Sequence, residues 1–275
     1  MNPTDETVVN LFWTGGWDST FRLLELLLDY GLETQPYYLI DPSRPSTRME
    51  LAAIAAMKGQ ILSDYPHTES LFRPIEVIMV SEIPHNQQIE SWHSDLQERF
   101  PRLGNQYDWL ARFAASRGLN DLELCVVKYD VGLVSTLMRK SAELKSDEKS
   151  GLEYYQVVNF EKIPEMKLFS AFRLPTLGIT KAEMGEKAVH SGREHIMQMT
   201  WFCHTPRRKS PCGSCGPCRA TADQGNRERI GLYNRTIRRR VFRPSRLLWG
   251  QFKEFLRPRR RLRTLRRRFG FERNS

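Results

Sequence analysis

The feature that most restricts how this chain can fold is an alternation of short apolar runs with segments of helical periodicity, beginning at residues 8–13 (VVNLFW). That run stops at Thr14-Gly15-Gly16, as a buried strand stops at a turn. Phe21, Leu23, Leu24, Leu27 and Leu28 then recur at helical spacing as far as Gly31, a helix stop. The order repeats with a strand over 37–40 and a helix over 47–63, where Leu51, Ile54, Ala55 and Leu62 can form a face. A third strand over 75–80, helices over 89–100 and 107–116, and a fourth strand over 122–127 follow. Such alternation predicts an α/β fold built from βαβ units, a parallel sheet with helices on both faces. Beyond Lys140 the pattern weakens. Residues 145–151 read as a solvated loop, 154–160 as a strand and 181–190 as a helix following the Gly178 turn.

Charge divides the chain. From Arg235 to Ser275 there are fifteen arginines and Lys253 against Glu254 and Glu272, a net +14. The total is +10, so residues 1–234 carry −4 and the basic character belongs to the extension. Within it, Leu248, Phe252, Phe255 and Leu256 form an apolar stripe at helical spacing. From Arg257 to Arg268 the segment is polybasic and predicts a polyanionic or acidic protein partner. The competing expectation is a stripe packed on the body with arginines facing water. The opening residues lack a basic region before a long apolar run, so no signal peptide is expected. No stretch approaches the length of a membrane span, and a cytoplasmic protein is expected.

Thr14-Gly15-Gly16-Trp17-Asp18-Ser19-Thr20 lies between the first strand and the first helix. Two glycines bring bare N–H groups to a ligand, and the helix start adds partial positive charge, which together suit phosphate. Thr14, Ser19 and Thr20 supply hydroxyls, and Asp18 a carboxylate for a phosphate-bridging Mg²⁺. No Walker-type lysine is present. A plain Gly-Gly turn capped by Asp or Ser is the competing reading, but sheet ligands bind at this position of an α/β pattern.

Four of the five cysteines, Cys203, Cys212, Cys215 and Cys218, follow a C-x8-C-x2-C-x2-C spacing. Four thiolates complete a tetrahedral zinc shell and leave no open coordination position, so a structural Zn²⁺ is expected in a reducing compartment. An iron–sulfur cluster or a redox pair is the alternative, and His204 is a rival ligand. Cys125 reads as a small buried side chain.

Residues 14–19 resemble the S-G-G-x-D-S signature of the PP-loop ATP pyrophosphatase superfamily, with Thr14 for the first serine. Taken with the cysteines, where Cys212-Gly213-Ser214-Cys215 matches C-G-x-C, the chain resembles the 7-cyano-7-deazaguanine synthase family. Residues 176–183 (TLGITKAE) are similar to that family's segment before the zinc site, with Lys181 at its lysine. Gly104, Asn105 and Gln106 loosely resemble a family segment that contributes to ATP binding. The resemblance implies an ATP-binding α/β domain, expected over residues 1–200, and a four-cysteine zinc subdomain over 201–234, with the basic extension over 235–275 beyond what that family needs. It also implies a carbon–nitrogen ligase that adenylates 7-carboxy-7-deazaguanine, releases pyrophosphate and AMP, and forms the amide and then the nitrile. Asp18, Ser19 and Lys181 would be catalytic, and Thr14, Gly15, Gly16, Asp18, Ser19 and Thr20 would hold ATP, together with Gly104, Asn105 and Gln106. A solvated lysine at a helix start is the competing reading of Lys181.

Between Leu122 and Met166 the family's substrate stretch is missing, with Tyr129-Asp130 the nearest remnant. A changed pocket implies a changed acceptor, such as a protein amine in an antiviral system. A PP-loop tRNA-modifying enzyme and a non-catalytic nucleotide-binding scaffold are the two alternatives.

Overall fold

The computed structural model describes residues 8–101, 103–128, 133–223 and 227–231. The readings made of Tyr129-Asp130 and of the extension 235–275 lie outside them. Strands β1 (Val9–Phe12), β2 (Thr34–Ile40), β3 (Glu76–Met79), β4 (Leu122–Glu123) and β7 (Phe172–Arg173) form one parallel sheet in the order β3-β2-β1-β4-β7. β1 is central, and the chain moves outward from it first to one side through β2 and β3, then to the other through β4.

Side-chain alternation along the central strands divides the core in two. Val9 and Leu11 of β1 and Trp13 just beyond it, with Tyr38 of β2, point to one face. There they meet α1 (Trp17–Leu24), α2 (Thr47–Asp64), α6 (Lys181–His190) and α7 (Glu194–Gln198) through Phe21, Leu23, Ile54, Met57, Met184 and Ile196. Phe12, Tyr37 and Leu39 point to the other face, against α3 (Gln87–Arg99) and α4 (Gln106–Ser116). Helices therefore cover both faces, as the alternation predicts.

Four details differ from the sequence reading. The buried face of α2 is Glu50, Ile54, Met57 and Ile61, rotated from the expected stripe, and Ala55 is exposed. The 3.6-residue repeat follows Ile54–Met57–Ile61 once Gly15 packs against Ile54. The fourth strand is two residues long, because beyond Glu123 the chain leaves the ladder to line a cavity, where Thr176 donates to the Val126 carbonyl at 3.1 Å. The strand expected over 154–160 is β6 (Glu153–Val157). It pairs antiparallel with β5 (Ala142–Ser146), a half-exposed strand without the apolar run that would mark it. The first helix also runs on from Leu24 through a π-helical turn, Glu25–Asp29, before stopping near Gly31 at φ 61°.

One buried ion pair ties α1 to the sheet. Glu123, on the face of β4 opposite Leu122, accepts two hydrogen bonds from Arg22, 2.8 Å from Nε and 2.7 Å from Nη2. This bidentate contact sets the helix that carries the glycine loop at its start.

Candidate functional site

The loop leaves the carboxyl end of β1, between strands whose connections run to opposite sides of the sheet, which is where open α/β sheets bind ligands. Gly15 has φ 69°, and a Cβ there would stand 2.9 Å from Ile54 Cγ1 and 3.2 Å from the Glu50 carbonyl, so both backbone angle and space demand glycine. Gly16 is the N-cap of α1, and its carbonyl accepts from the Thr20 amide at 3.1 Å. Ser19 Oγ closes the turn by accepting from the Thr14 amide at 3.3 Å, with Thr14 Oγ1 3.4 Å away.

Thr20 does not join them. It is fully buried, its hydroxyl accepts from the Trp13 indole at 3.0 Å and faces Met57, and it packs the loop rather than facing a ligand. Gly104 and Asn105 likewise stand apart. The Gly104 carbonyl meets His93, and the Asn105 side chain accepts from Gln97, so both join α3 to α4. Of that trio only Gln106 reaches the cavity.

The cavity has a volume of about 690 Å³, within the usual range for small-molecule sites. Thr14, Gly16, Asp18 and Ser19 open onto it, and so does Lys181. Lys181 begins α6, whose N-cap Thr180 and Glu183 form a reciprocal capping box. Lys181 Nζ lies 3.2 Å from Asp18 Oδ1, so the starts of α1 and α6 converge on one point although far apart in sequence. Burial pushes the Asp18 carboxyl above its ordinary range, against the pull of Lys181.

A second polar group on the cavity wall escapes notice in the sequence. Glu50 is buried and accepts from Tyr38 Oη at 2.7 Å, Arg44 Nη2 at 2.8 Å and Ser46 Oγ at 2.7 Å. The readable signal is an acid in line with Ile54, Met57 and Ile61 on the buried face of α2. Burial and the adjacent carboxylate push the Tyr38 phenol up, keeping it a neutral donor. Burial and Arg44 hold the His204 imidazole below its ordinary pKa, leaving a neutral ring on the wall. Cys125 is half-buried and also lines the cavity.

The four cysteines gather in a small module along this wall. Their sulfurs all lie within 4.8 Å of one another, with Cys212 and Cys218 3.9 Å apart and Cys203 and Cys215 4.0 Å apart. Four sulfurs at about 2.3 Å from a tetrahedral zinc ion would stand about 3.8 Å apart, so the set fits that ion. His204 is not among the gathered groups. Burial opposes a Cys212 thiolate, but donors from Thr205, Ser214 and the amides of Ser214 and Cys215 outweigh it and bring its pKa down to about 5. Between Cys203 and Cys212 the chain makes a two-residue turn, closed by reciprocal 2.9 Å bonds between Arg207 and Ser210. Its central residues, Arg208 and Lys209, take φ of 46° and 65°, a left-handed conformation that non-glycine residues seldom adopt.

The module is fastened to the glycine loop. The Trp201 amide donates to the Gly15 carbonyl at 2.8 Å, and the Trp201 indole donates to the Cys203 carbonyl at 2.8 Å. Trp201, Phe202, His204 and Arg229 all line the cavity, so its walls come from both the sheet domain and the module. Among the described residues no helix is long and apolar enough to cross a membrane. No protein-family model matches the chain, and neither does any curated protein.

Proposed function

We propose that this chain is an ATP-dependent ligase of the PP-loop kind that adenylates a heteroaromatic carboxylate, in the manner of the 7-cyano-7-deazaguanine synthases. The observation that carries this reading is one cavity at the carboxyl edge of a parallel sheet. It joins the Thr14–Ser19 loop, the Asp18–Lys181 pair and the wall of a four-cysteine module. Three sequence segments that resemble one family are thus neighbours in space, although Thr14 and Cys218 lie at opposite ends of the described chain.

The chemistry follows from the leaving group. A carboxylate cannot release oxide, so its oxygen attacks the α-phosphorus of ATP and pyrophosphate departs. Ammonia then attacks the acyl carbon, and AMP leaves with the electron pair of the broken C–O bond to give the amide. A second adenylation, now on the amide oxygen, allows loss of AMP and formation of the nitrile. Amides at the start of α1 and the hydroxyls of Thr14 and Ser19 suit the phosphates, and Lys181 offsets charge that develops on them. Asp18 fits the single carboxylate with which proteins hold phosphate-bound Mg²⁺. Zinc on four thiolates has no open position and serves to hold the module wall. Thr20, Gly104 and Asn105 drop out of the ligand set, being engaged in packing.

The tRNA-directed reading draws on one observation, that the single cysteine outside the cluster, Cys125, lines the cavity. Burial and the nearby Glu123 carboxylate push its thiol well up, which opposes thiolate chemistry there.

Incubation of the purified protein with ATP and 7-carboxy-7-deazaguanine, with and without ammonia, tests the proposal by mass spectrometry. Acid-dependent AMP and pyrophosphate are expected, with the amide or nitrile when ammonia is present. AMP formation with the acid but no free nitrile would direct attention to a different amine acceptor. Cleavage of ATP only to ADP and phosphate would sink the reading, and AMP formation that requires tRNA instead of the acid would favour the tRNA-directed one.

A further inference from the structure

Arg229 follows the last of the four cysteines by eleven residues and returns to the cavity wall. Its guanidinium lies over two aromatic rings, 5.0 Å from the centre of Phe202 and 5.8 Å from that of Trp17. Phe202 in turn stacks on Trp201, with centroids 6.3 Å apart. Every hydrogen bond that Arg229 makes to the described residues leaves through one nitrogen, Nη2. Its acceptors are the carbonyls of Gln198 and Thr200 and the Thr200 hydroxyl at 3.0 Å. Nε–H and the two Nη1 protons have no acceptor among those residues, and none of their carboxylates forms an ion pair with it. Lys181 and Arg44 differ, since Lys181 faces Asp18 and Arg44 faces Glu50, and Lys128, the remaining Lys or Arg among the described lining residues, is exposed.

A half-buried cation is costly unless something neutralises it. Here the aromatic faces and the Thr200 anchor hold the guanidinium plane still, while Nε–H and the Nη1 protons are left on different edges of the group without an acceptor among the described residues. Either position can donate a charge-assisted hydrogen bond to one oxygen of a carboxylate or of a phosphate, and the fixed plane sets the direction of that bond as a lysine ammonium cannot. The neighbouring Trp17 indole N–H, buried and without an acceptor among the described residues, adds a second unused donor in the same place. We propose that Arg229 is an oxyanion-binding residue of the cavity, contributed by the chain that follows the cysteine module, and that it binds an oxygen of a planar ligand's carboxylate or of a nucleotide phosphate through Nε–H or an Nη1 proton. The choice of these two ligand groups rests on the function proposed above; the oxyanion chemistry does not.

Two measurements test this. In the first, wild type, Arg229→Gln and Arg229→Lys are titrated with pyrophosphate, a non-hydrolysable ATP analogue and 7-carboxy-7-deazaguanine, with melting temperature and metal content recorded for each variant. Arg229→Gln should weaken at least one probe roughly ten- to hundredfold, with Arg229→Lys recovering only part of it. A loss confined to the deazaguanine assigns the carboxylate, and a loss confined to the other two assigns phosphate. The second needs no variant: the same probes should slow modification of Arg229 by an arginine-directed dicarbonyl in the wild-type protein, read by peptide mass spectrometry. Unchanged affinities in a folded Arg229→Gln, no protection of Arg229, or a wild type that binds none of the probes would overturn the inference. Arg229-dependent binding without AMP formation would leave it standing while the ligase reading fails, and AMP formation indifferent to Arg229→Gln would do the reverse.

Discussion

The sheet domain and the cysteine module share a cavity but are held together by different physics. On either side of the sheet lies an extensive apolar layer, with Trp13, Phe113, Phe169 and Phe172 among its fully buried side chains. Burial on that scale is what ordinarily drives folding. The buried core of the module consists of Cys203, Cys212, Cys218 and Ile230, with Trp201, Phe202, Cys215 and Ala222 partly covered around it. Little apolar surface is buried there, and the four gathered sulfurs could hold a metal ion whose bonds would stabilise the module. A ligand in the cavity would therefore touch one wall backed by an extensive apolar core and one backed by a cysteine cluster that could hold a metal ion. The glycine loop is linked to the module through the Trp201–Gly15 hydrogen bond.

That contrast can be broken most directly at Cys215. Cys215→Ser should remove bound metal and open the module, since structural zinc supplies about 10–16 kcal/mol of apparent folding energy in small zinc domains. Metal content and Trp fluorescence should change and ATP turnover should vanish, while far-UV circular dichroism retains the helical signal of the sheet domain. Collapse of the whole protein would show that the two regions are one cooperative unit. The mirror experiment is Glu123→Gln, which takes the bidentate carboxylate from buried Arg22 and leaves it only the longer 3.5 Å contact with Glu25. A loss of about 3–5 kcal/mol in denaturant unfolding is expected, with metal content unchanged.

Smaller effects sharpen the comparison at the seam. Gly15→Ala forces a side chain into a left-handed position that already touches Ile54 and the Glu50 backbone, at a cost of roughly 1–3 kcal/mol. Calorimetric titration with an ATP analogue should also weaken, because the loop amides move, while the metal stays bound. Lys209→Gly works in the opposite direction inside the module. It relieves the left-handed strain at φ 65° and should gain about 0.5–1 kcal/mol, after the entropy cost of glycine. Slower metal loss to a chelator would register it, with no change in the unfolding of the sheet domain.

Legibility in the sequence followed the range of the interactions. The span of α6 matches the reading because its capping box, Thr180 with Glu183, lies within the first turn of the helix itself. The four-cysteine set was readable for a similar reason, as one short stretch holds every ligand. β5 was missed because an edge hairpin with half-exposed residues carries no apolar run, and its pairing with β6 supplies what its composition lacks. The place of Thr20 is not legible, because a hydroxyl at a helix start reads the same whether it faces ligand or core. Only the position of the Trp13 indole decides between them. The resemblance in residues 104–106 likewise did not foresee that Gly104 and Asn105 would serve the junction of α3 with α4.

By itself the sequence determined the alternation that demands a parallel sheet, the glycine pair that bares a helix start, and the spacing that gathers four thiolates. Each depends on neighbours along the chain, whose geometry local backbone preferences and side-chain periodicity set. Tertiary structure alone decided that Asp18 meets Lys181, that Glu50 is wrapped by Tyr38, Arg44 and Ser46, and that Arg229 lies against Trp17 on the cavity wall. Those meetings join residues far apart in sequence. They come from how helices pack on the two sheet faces and from where the module is fastened to the glycine loop, and no pattern in the chain encodes such distances directly.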